Sequence, residues 1–191
     1  MRWVAIVPLR SPAQGKTRLS SALGPTERMR LVERMFEHVS GVLLSVPTIS
    51  DVVVLSEERP KRWQGSWLAD KGQGLNCELV AATANFKDEA ILVIHADLPV
   101  VSKLDVTVLL VAARSGCAIA PDRHGTGTNA LALTHAADFD FAFGPGSFLK
   151  HVVAAQGRQQ VVRRLGFALD IDTPADLAIA AAKGVHLDLV A

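Results

Sequence analysis

Residues 90–99 read Ala-Ile-Leu-Val-Ile-His-Ala-Asp-Leu-Pro, and this stretch decides the fold. The five apolar residues of Ala90–Ile94 show no polar alternation, which predicts a strand covered on both faces, as in a mostly parallel sheet. The strand runs on to Asp97, two residues before Pro99. A carboxylate is therefore expected at the carboxyl edge of the sheet, where open α/β proteins bind their ligands.

Apolar runs of similar length recur on both sides of this stretch. Further strands are predicted at residues 3–7, 52–55, 117–120, 129–133, 161–164 and 167–170. Helices are predicted between them at residues 25–44, 104–113, 147–155 and 174–182, the last with Thr173 as its N-cap. The alternation predicts a single α/β domain over residues 1–191, with a mostly parallel central sheet and flanking helices. Residues 61–74 match no element, and we interpret Trp63 and Trp67 as packing residues.

The composition is that of an ordinary globular domain. Of 191 residues, 49% are hydrophobic and 20% are charged, with a net charge of +1. No basic stripe indicates a nucleic-acid partner, and no apolar run approaches the ~20 residues of a membrane span, so a cytoplasmic protein is expected. Cys77 and Cys117 form no CxxC pair, which favours neither a disulfide nor a zinc site, and Cys117 is expected to be a core thiol.

The loop after the first strand carries three cations. Gly15-Lys16-Thr17 is similar to the end of a P-loop, but that motif needs a glycine where Arg10 stands. Arg10, Lys16 and Arg18 can instead neutralise a nucleoside triphosphate and the pyrophosphate that leaves it. A solvated basic loop is the alternative.

Two aspartates are candidate magnesium ligands. Asp97 ends the central strand, and the stretch Leu169-Asp-Ile-Asp-Thr-Pro174 supplies Asp172. In an extended chain Asp170 and Asp172 lie on the same side. Magnesium usually takes one or two protein carboxylates together with substrate phosphates. Caps or turn residues remain the alternative for both, and His95 is expected to pack or to form hydrogen bonds beneath the site.

Two glycine-containing loops are candidate anion sites. Residues 120–130 contain Gly-Thr-Gly-Thr ending at Thr128, a backbone that can approach an anion closely and donate N–H and hydroxyl groups. Residues 143–148 read Phe-Gly-Pro-Gly-Ser-Phe, with Ser147 at a predicted helix start. Together they suggest an acceptor with two anionic groups; plain turns are the alternative.

The chain resembles the 2-phospho-L-lactate guanylyltransferase family, CofC or FbiD, of deazaflavin coenzyme F-420 biosynthesis. The resemblance rests on six stretches that occur in the same order as in the family: residues 13–19, 74–76, 96–99, 121–130, 143–148 and 169–174. It implies a nucleotidyltransferase fold similar to glycosyltransferase-A domains. It also implies transfer of GMP from GTP to 2-phospho-L-lactate, phosphoenolpyruvate or 3-phospho-D-glycerate, with release of pyrophosphate.

The resemblance also implies roles for individual residues. Lys16 and Arg18 would contact the GTP phosphates, together with Arg10, which stands where the family usually has lysine. The segment from Gly74 to Asn76 would lie near the guanine or ribose, although Cys77 and Glu78 replace the small or apolar residues expected after it. The metal and acceptor ligands would be these: Asp97 and Asp172 for Mg²⁺, and Thr128, Gly144 and Ser147 for the acceptor.

Several alternatives stay open at this point. A related transferase would use another acceptor, such as a molybdopterin or a sugar phosphate, and a non-catalytic domain would bind the nucleotide without turnover. The sequence does not choose among the three phosphorylated acids. A homodimer is common among such small transferases, and the oligomeric state stays open.

Overall fold

The computed structural model describes residues 1–10 and 16–185 and contains one central sheet in that part of the chain. Its strands are β1 (Trp3–Pro8), β2 (Ile49–Ser56), β3 (Ser66–Ala69), β4 (Ala90–Ile94), β5 (Cys117–Pro121), β6 (Thr128–Leu133) and β7 (Gln159–Val161). The helices are α1 (Pro25–Leu44), α2 (Leu75–Thr83), α3 (Lys103–Ala112), α4 (Ser147–Ala154), α5 (Leu165–Ala168) and α6 (Pro174–Ala182).

The strand order is β3-β2-β1-β4-β6-β5-β7. Strand β6 runs antiparallel to both of its neighbours, and the other adjacent pairs are parallel. The mostly parallel sheet with flanking helices is therefore confirmed. Because β1 and β4 are adjacent and parallel, their carboxyl ends open at the same edge of the sheet.

Helices cover both faces of the sheet, which explains why its central strands lack polar alternation. In β4, Leu92 and Ile94 pack into one apolar cluster with residues of α1 and α3. Ile91 and Val93 point to the opposite face and pack with residues of α2 and α4. A strand buried on both sides gains apolar burial at every position, so β4 is apolar throughout.

Helix α1 begins and ends where its sequence indicates. Pro25 occupies the first turn, and the Glu27 side chain accepts a hydrogen bond from the Gly24 N–H group at 2.7 Å. Its buried face repeats at helical spacing through Leu31, Met35 and Val39. Helix α6 has the predicted N-cap: the Thr173 hydroxyl accepts from the backbone of Asp176, whose carboxylate accepts from Thr173 N.

Two predicted strands near the carboxyl end are wrong. The strand predicted at 161–164 is β7, which lies earlier, at Gln159–Val161. The strand predicted at 167–170 does not form, because the N–H groups of Phe167 and Ala168 turn back onto the Arg164 carbonyl and close the short helix α5. The apolar run was misleading since Phe167 is fully buried in a helical turn rather than in the sheet.

Two elements were not predicted at all, and both lie in or beside the unassigned residues 61–74. The edge strand β3 is only four residues long and half-buried, so it has little periodicity. Helix α2 begins after Gly74, whose φ of 93° suits glycine. The interpretation of the tryptophans as packing residues is confirmed. Trp63 lies edge-on to Phe36 at 5.6 Å between ring centroids, and the Trp67 indole donates to Ser56 Oγ.

Cys117 is a core thiol, as the sequence predicts. Both thiols are free; Cys77 is exposed, and Cys117 is buried in the core. Burial raises the pKa of the Cys117 thiol to about 12, although the nearby Arg158 charge opposes this. None of the helices formed by residues 1–10 and 16–185 has both the length and the apolarity to cross a bilayer.

Candidate active site

Lys16 bridges the two aspartates that the sequence predicts as metal ligands. Its Nζ atom lies 2.5 Å from Asp97 Oδ2 and 2.7 Å from Asp172 Oδ1. Lys16 immediately precedes a short 3-10 turn, Thr17–Leu19, and has a left-handed backbone with φ of 57°. The preceding residues 11–15 of the basic loop lie outside the described part of the chain. The cation between the two aspartates is thus a side chain of the loop that follows β1.

Lys16 and Asp97 each stabilise the charged form of the other. Burial lowers the pKa of Lys16, but the charges of Asp97 and Asp172 raise it, and the net direction is upward. Burial raises the pKa of Asp97, but the charge and hydrogen bond of Lys16, together with the nearby His95, lower it, and the net direction is downward. The Lys16 side chain is only 10% exposed, so an ammonium there depends on its two carboxylates.

Backbone contacts hold the segment that carries Asp172 against the end of β4. The Ile171 N–H group donates to the Asp97 carbonyl at 3.3 Å. The N–H group of the next residue, Asp172, donates to the carboxylate of Asp176, within the cap of α6. The start of α6 therefore fixes how far Asp172 lies from Asp97.

Asn129, at the start of β6, ties the same segment to the sheet. Its side-chain amide donates to the Phe167 carbonyl at 2.8 Å and to Asp170 Oδ1 at 3.3 Å. Burial raises the pKa of Asp170, and the nearby charge of Asp97 raises it further. Asp170 therefore lies beside the site as a third carboxyl group that is bound to an amide.

The donor set fits a magnesium ion. Asp97 Oδ1 is buried and has no hydrogen-bond partner among the described residues. Asp97 and Asp172 already face a common cation, the Lys16 ammonium, and two carboxylates are the number that Mg²⁺ usually takes from a protein. Across residues 1–10 and 16–185, no cluster of three or more His, Cys, Asp or Glu side chains has metal-binding geometry.

The other two predicted cations lie on either side of Lys16 in the chain, and both are exposed. Arg10 follows β1, and Arg18 lies within the 3-10 turn. Arg10 also lines a groove of about 930 Å³ between α1 and the loop after β2, which includes Glu37, Arg59 and Trp63. Both guanidinium groups are thus free to reach an anion from the solvent side.

Asn76, predicted to lie near the nucleotide, is bound to the second glycine loop. Its Nδ2 atom donates to the Phe143 carbonyl at 3.1 Å, and its Oδ1 atom accepts from the Phe143 N–H group at 2.7 Å. Gly74, two residues earlier, is exposed at the start of α2. Glu78 is buried, and its carboxylate accepts N–H groups from Lys71 and Gln73, so it organises the turn before α2.

The amides of the Gly-Thr-Gly-Thr loop are not open to an external anion, which corrects one expectation. The carboxylate of Asp122 accepts N–H groups from Thr126 and Gly127, each at 2.9 Å, and the Thr126 hydroxyl at 3.1 Å. A Cβ atom on Gly127 would lie 2.8 Å from Asp122 Oδ2, so glycine permits this close approach. The anion that these donors bind is the carboxylate of Asp122, which belongs to the loop itself.

Two of the predicted acceptor residues, Thr128 and Ser147, contact each other, and a histidine that sequence reasoning missed contacts Thr128. The Thr128 N–H group donates to Ser147 Oγ at 2.9 Å, and His151 Nδ1 lies 2.9 Å from Thr128 Oγ1. Gly144, with φ of 118°, lies in the exposed turn just before Ser147. Thr128, Ser147 and His151 are all buried. The signal was available, because His151 lies four residues after Ser147 and hence on the same face of α4.

The sequence has counterparts among known proteins. A family model described as "Guanylyl transferase CofC like" matches residues 3–185. A phosphoenolpyruvate guanylyltransferase of Sphaerobacter thermophilus is 36% identical over 193 residues, covering 93% of this chain and 91% of the relative. A 2-phospho-L-lactate guanylyltransferase of Methanocaldococcus vulcanius is 30% identical over 182 residues, covering 91% and 82%.

The fold also has a counterpart among solved structures. A protein of Desulfovibrio desulfuricans G20, described as a candidate nucleotide-diphospho-sugar transferase, aligns with a TM-score of 0.77 at 16% identity. The alignment covers 96% of this chain and 88% of that one. At this identity the likeness concerns the fold, and it confirms the predicted nucleotidyltransferase type of α/β architecture.

Proposed function

This chain belongs to the CofC-like guanylyltransferase family, and from that premise we propose that it transfers GMP from GTP to a small phosphorylated carboxylic acid. The observation that carries the proposal is the position of the Lys16 ammonium between Asp97 and Asp172 at the carboxyl edge of the sheet. A nucleotidyl transfer needs a cationic centre at such an edge, where it meets the triphosphate.

The reaction joins two anions. A phosphate oxygen of the acceptor attacks the α-phosphorus of GTP, and a new P–O bond forms. The bond from that phosphorus to the oxygen shared with the β-phosphate breaks, and this oxygen leaves with pyrophosphate. A phosphate monoester is largely dianionic at pH 7, because its second pKa is about 6. The nucleophile therefore needs no general base, and the protein must mainly align the reactants and screen their charge.

The cations of the first loop would screen the leaving group. Arg10 and Arg18 are exposed and flank Lys16, so they suit contacts with the β- and γ-phosphates. Asp97 and Asp172 would hold Mg²⁺, whose charge reduces the repulsion between the triphosphate and the acceptor. Lys16 would then leave the two carboxylates and donate to the triphosphate instead. Its long side chain allows that exchange without a change in the sheet.

The acceptor would bind at the turn that carries Gly144 and at the start of α4. Thr128 and Ser147 lie next to each other there. The curated relatives are named for two acceptors, phosphoenolpyruvate and 2-phospho-L-lactate. Both molecules, like 3-phospho-D-glycerate, carry a phosphate and a carboxylate a few atoms apart, and this two-anion class is the substrate class that we propose.

The test is pyrophosphate release from GTP with Mg²⁺ and each of the three acids in separate reactions, with CTP and ATP as comparison nucleotides. Release with GTP and one acid supports the proposal and names the acceptor. Asp97→Asn should abolish most turnover. Asp88→Asn, at an exposed position before β4 and hence at the opposite edge of the sheet, is its matched control. GTP binding without pyrophosphate release would favour a non-catalytic nucleotide-binding domain.

The remaining expectations stay predictions. The resemblance implies that the product enters deazaflavin coenzyme F-420 synthesis, and it implies neither a nucleic-acid nor a membrane partner. Cytoplasmic location and a homodimer also remain untested. Sedimentation of the purified chain over a range of concentrations would decide the oligomeric state.

A further inference from the structure

We propose that His151 is a positioning residue for the acceptor: its neutral imidazole donates from Nδ1 to Thr128 Oγ1, which leaves the Thr128 hydroxyl proton for an anionic group of the acceptor. The proposal rests on the proposed function, because it assigns a role within the same acceptor site. It concerns how one hydroxyl is oriented and not the transfer step itself.

The backbone fixes which nitrogen of His151 carries the proton. The Ala142 N–H group, which can only donate, lies 3.0 Å from His151 Nε2. Nε2 must therefore accept, and a neutral ring then carries its proton on Nδ1. Since Thr128 Oγ1 lies 2.9 Å from Nδ1, the hydroxyl oxygen accepts this proton's hydrogen bond.

The surroundings keep the ring neutral. Burial, together with the nearby His95 and Lys150 charges, lowers the pKa of His151 to about 4. The ring is fully buried and packs edge-on against Phe143, with 4.6 Å between ring centroids. A protonated ring would carry a proton on Nε2 as well, and this N–H group would face the Ala142 N–H group. Two donors would then oppose each other, because the backbone fixes the position of the Ala142 N–H group.

This tautomer decides what the neighbouring hydroxyls can do. Thr128 Oγ1 accepts from His151, so its own proton must be donated, and among the described residues no acceptor receives it. Ser147 Oγ accepts from the Thr128 N–H group, and in the described part of the chain its proton likewise has no acceptor. Two adjacent hydroxyl donors suit a carboxylate or a phosphate oxygen. Ser147 directly follows the exposed turn 144–146, so the buried pair lies beside a segment that contacts solvent.

His151 also holds the acceptor turn in place. It accepts the N–H group of Ala142, while Asn76 binds both backbone groups of the next residue, Phe143. The two contacts tie the start of this turn to α4 and to α2. His151 thus joins the turn to β6, because its other nitrogen contacts Thr128.

The first experiment is a double-mutant cycle with His151→Gln and Thr128→Val. A glutamine oxygen can take the place of Nε2 and keep the bond from Ala142, but the side chain has no donor at the place of Nδ1. Each single change should raise the KM for the acceptor roughly three- to tenfold, the effect of about one hydrogen bond, and leave the KM for GTP within about twofold. The double variant should be no worse than the worse single variant.

Effects that multiply in the double variant would overturn the proposal, and so would an equal rise in the KM for GTP. The matched control is His135→Gln, at an exposed histidine just after β6, which should change neither constant. Thermal unfolding of each variant separates a loss of folded protein from a loss of acceptor binding.

The second experiment uses the wild-type protein and does not depend on the folding of any variant. Nitrogen-15 NMR of labelled histidine should show His151 protonated on Nδ1 and unprotonated on Nε2 at neutral pH. The opposite tautomer or an imidazolium would overturn the proposal. Adding phosphoenolpyruvate, 2-phospho-L-lactate or 3-phospho-D-glycerate should shift the Nδ1 resonance. If no acid supports pyrophosphate release, the proposed function fails; if none shifts the resonance, this inference fails.

Discussion

The side chain of Asn76 forms hydrogen bonds with both backbone groups of Phe143, a residue 67 positions later in the chain. Asn76 belongs to the segment predicted to bind the nucleotide, and Phe143 begins the turn predicted to bind the acceptor. An amide side chain can donate to a carbonyl from its nitrogen and accept from an N–H group at its oxygen at once. The two halves of the site are therefore connected directly, through one residue at the start of α2.

Asn76→Asp should raise the KM for the acceptor by more than the KM for GTP. The carboxylate still accepts from the Phe143 N–H group, but it has no proton for the Phe143 carbonyl and repels it. The acceptor turn should loosen, and the free energy of unfolding should fall by about 1–3 kcal/mol. Steady-state kinetics with each substrate varied, together with denaturant unfolding, measures both effects.

Asn85→Asp is the control for that change. Asn85 is exposed and follows the same helix, and its side chain donates to carbonyls of that helix. It should leave both KM values unchanged. If Asn76→Asp raises only the KM for GTP, then Asn76 contacts the nucleotide, as the resemblance implies, and the connection between the two halves has no kinetic role.

Lys16→Met should destabilise the protein in the absence of Mg²⁺ and weaken its use of GTP. Methionine keeps the length of the side chain but leaves Asp97 and Asp172 facing each other without a cation. Removing one partner of a buried ion pair is costly, but Asp172 is 47% exposed, so we expect about 2 kcal/mol. Thermal unfolding with and without Mg²⁺ measures this, and Mg²⁺ should stabilise the variant more than the wild type.

Lys61→Met is the matched control, since Lys61 is an exposed lysine in the loop after β2. It should respond to Mg²⁺ as the wild type does. If Lys16→Met shows no greater stabilisation by Mg²⁺ than the wild type, then Mg²⁺ does not bind between the two aspartates. If the KM for GTP is also unchanged, Lys16 has no role in the nucleotide site.

The sequence predicted those parts of the site that depend on local pattern. The apolar run of β4 placed Asp97 at the edge of the sheet, and Thr173 before Pro174 placed Asp172 at a helix start. It did not reveal that the Asp122 carboxylate would accept the N–H groups of its own loop, or that the Asn76 side chain would bind the backbone of Phe143. These contacts depend on tertiary packing. The same limit explains the strand wrongly predicted at 167–170, since a buried apolar run has no periodicity that separates strand from helical turn.

Asp122→Ala should release the loop from Thr126 to Gly127. Three donors lose their common acceptor, so the amides of both residues should exchange with solvent faster, while the amides of β4 keep their protection. Amide hydrogen exchange followed by NMR measures this. Asp138→Ala, at an exposed aspartate after β6, is the control and should leave the loop unchanged.

The Asp122 contacts should also depend on pH in a defined direction. Burial raises the pKa of Asp122, but the hydrogen bonds that its carboxylate accepts from the loop 125–127 together lower it, and the net direction is downward. A carboxylate with a lowered folded-state pKa stabilises the loop fully above its unfolded pKa of about 3.9, and this stabilisation is lost as the pH falls through the folded pKa. Protection of the Thr126 and Gly127 amides should therefore be constant at neutral pH and fall only in acid. A fall near pH 7 would mean that another group holds the loop.

Thr173→Ala should cost about 1 kcal/mol of stability, the usual effect of losing an N-cap side chain. The Asp176 carboxylate that accepts from Thr173 also accepts from the Asp172 N–H group, so the change should reach the metal site as well. We expect a weaker response to Mg²⁺ in thermal unfolding, in addition to the lower midpoint. Thr107→Ala, in the exposed face of α3, removes a threonine that donates only to its own helix and should leave the Mg²⁺ response intact. An equal loss of Mg²⁺ response in both variants would show that the cap of α6 does not position Asp172.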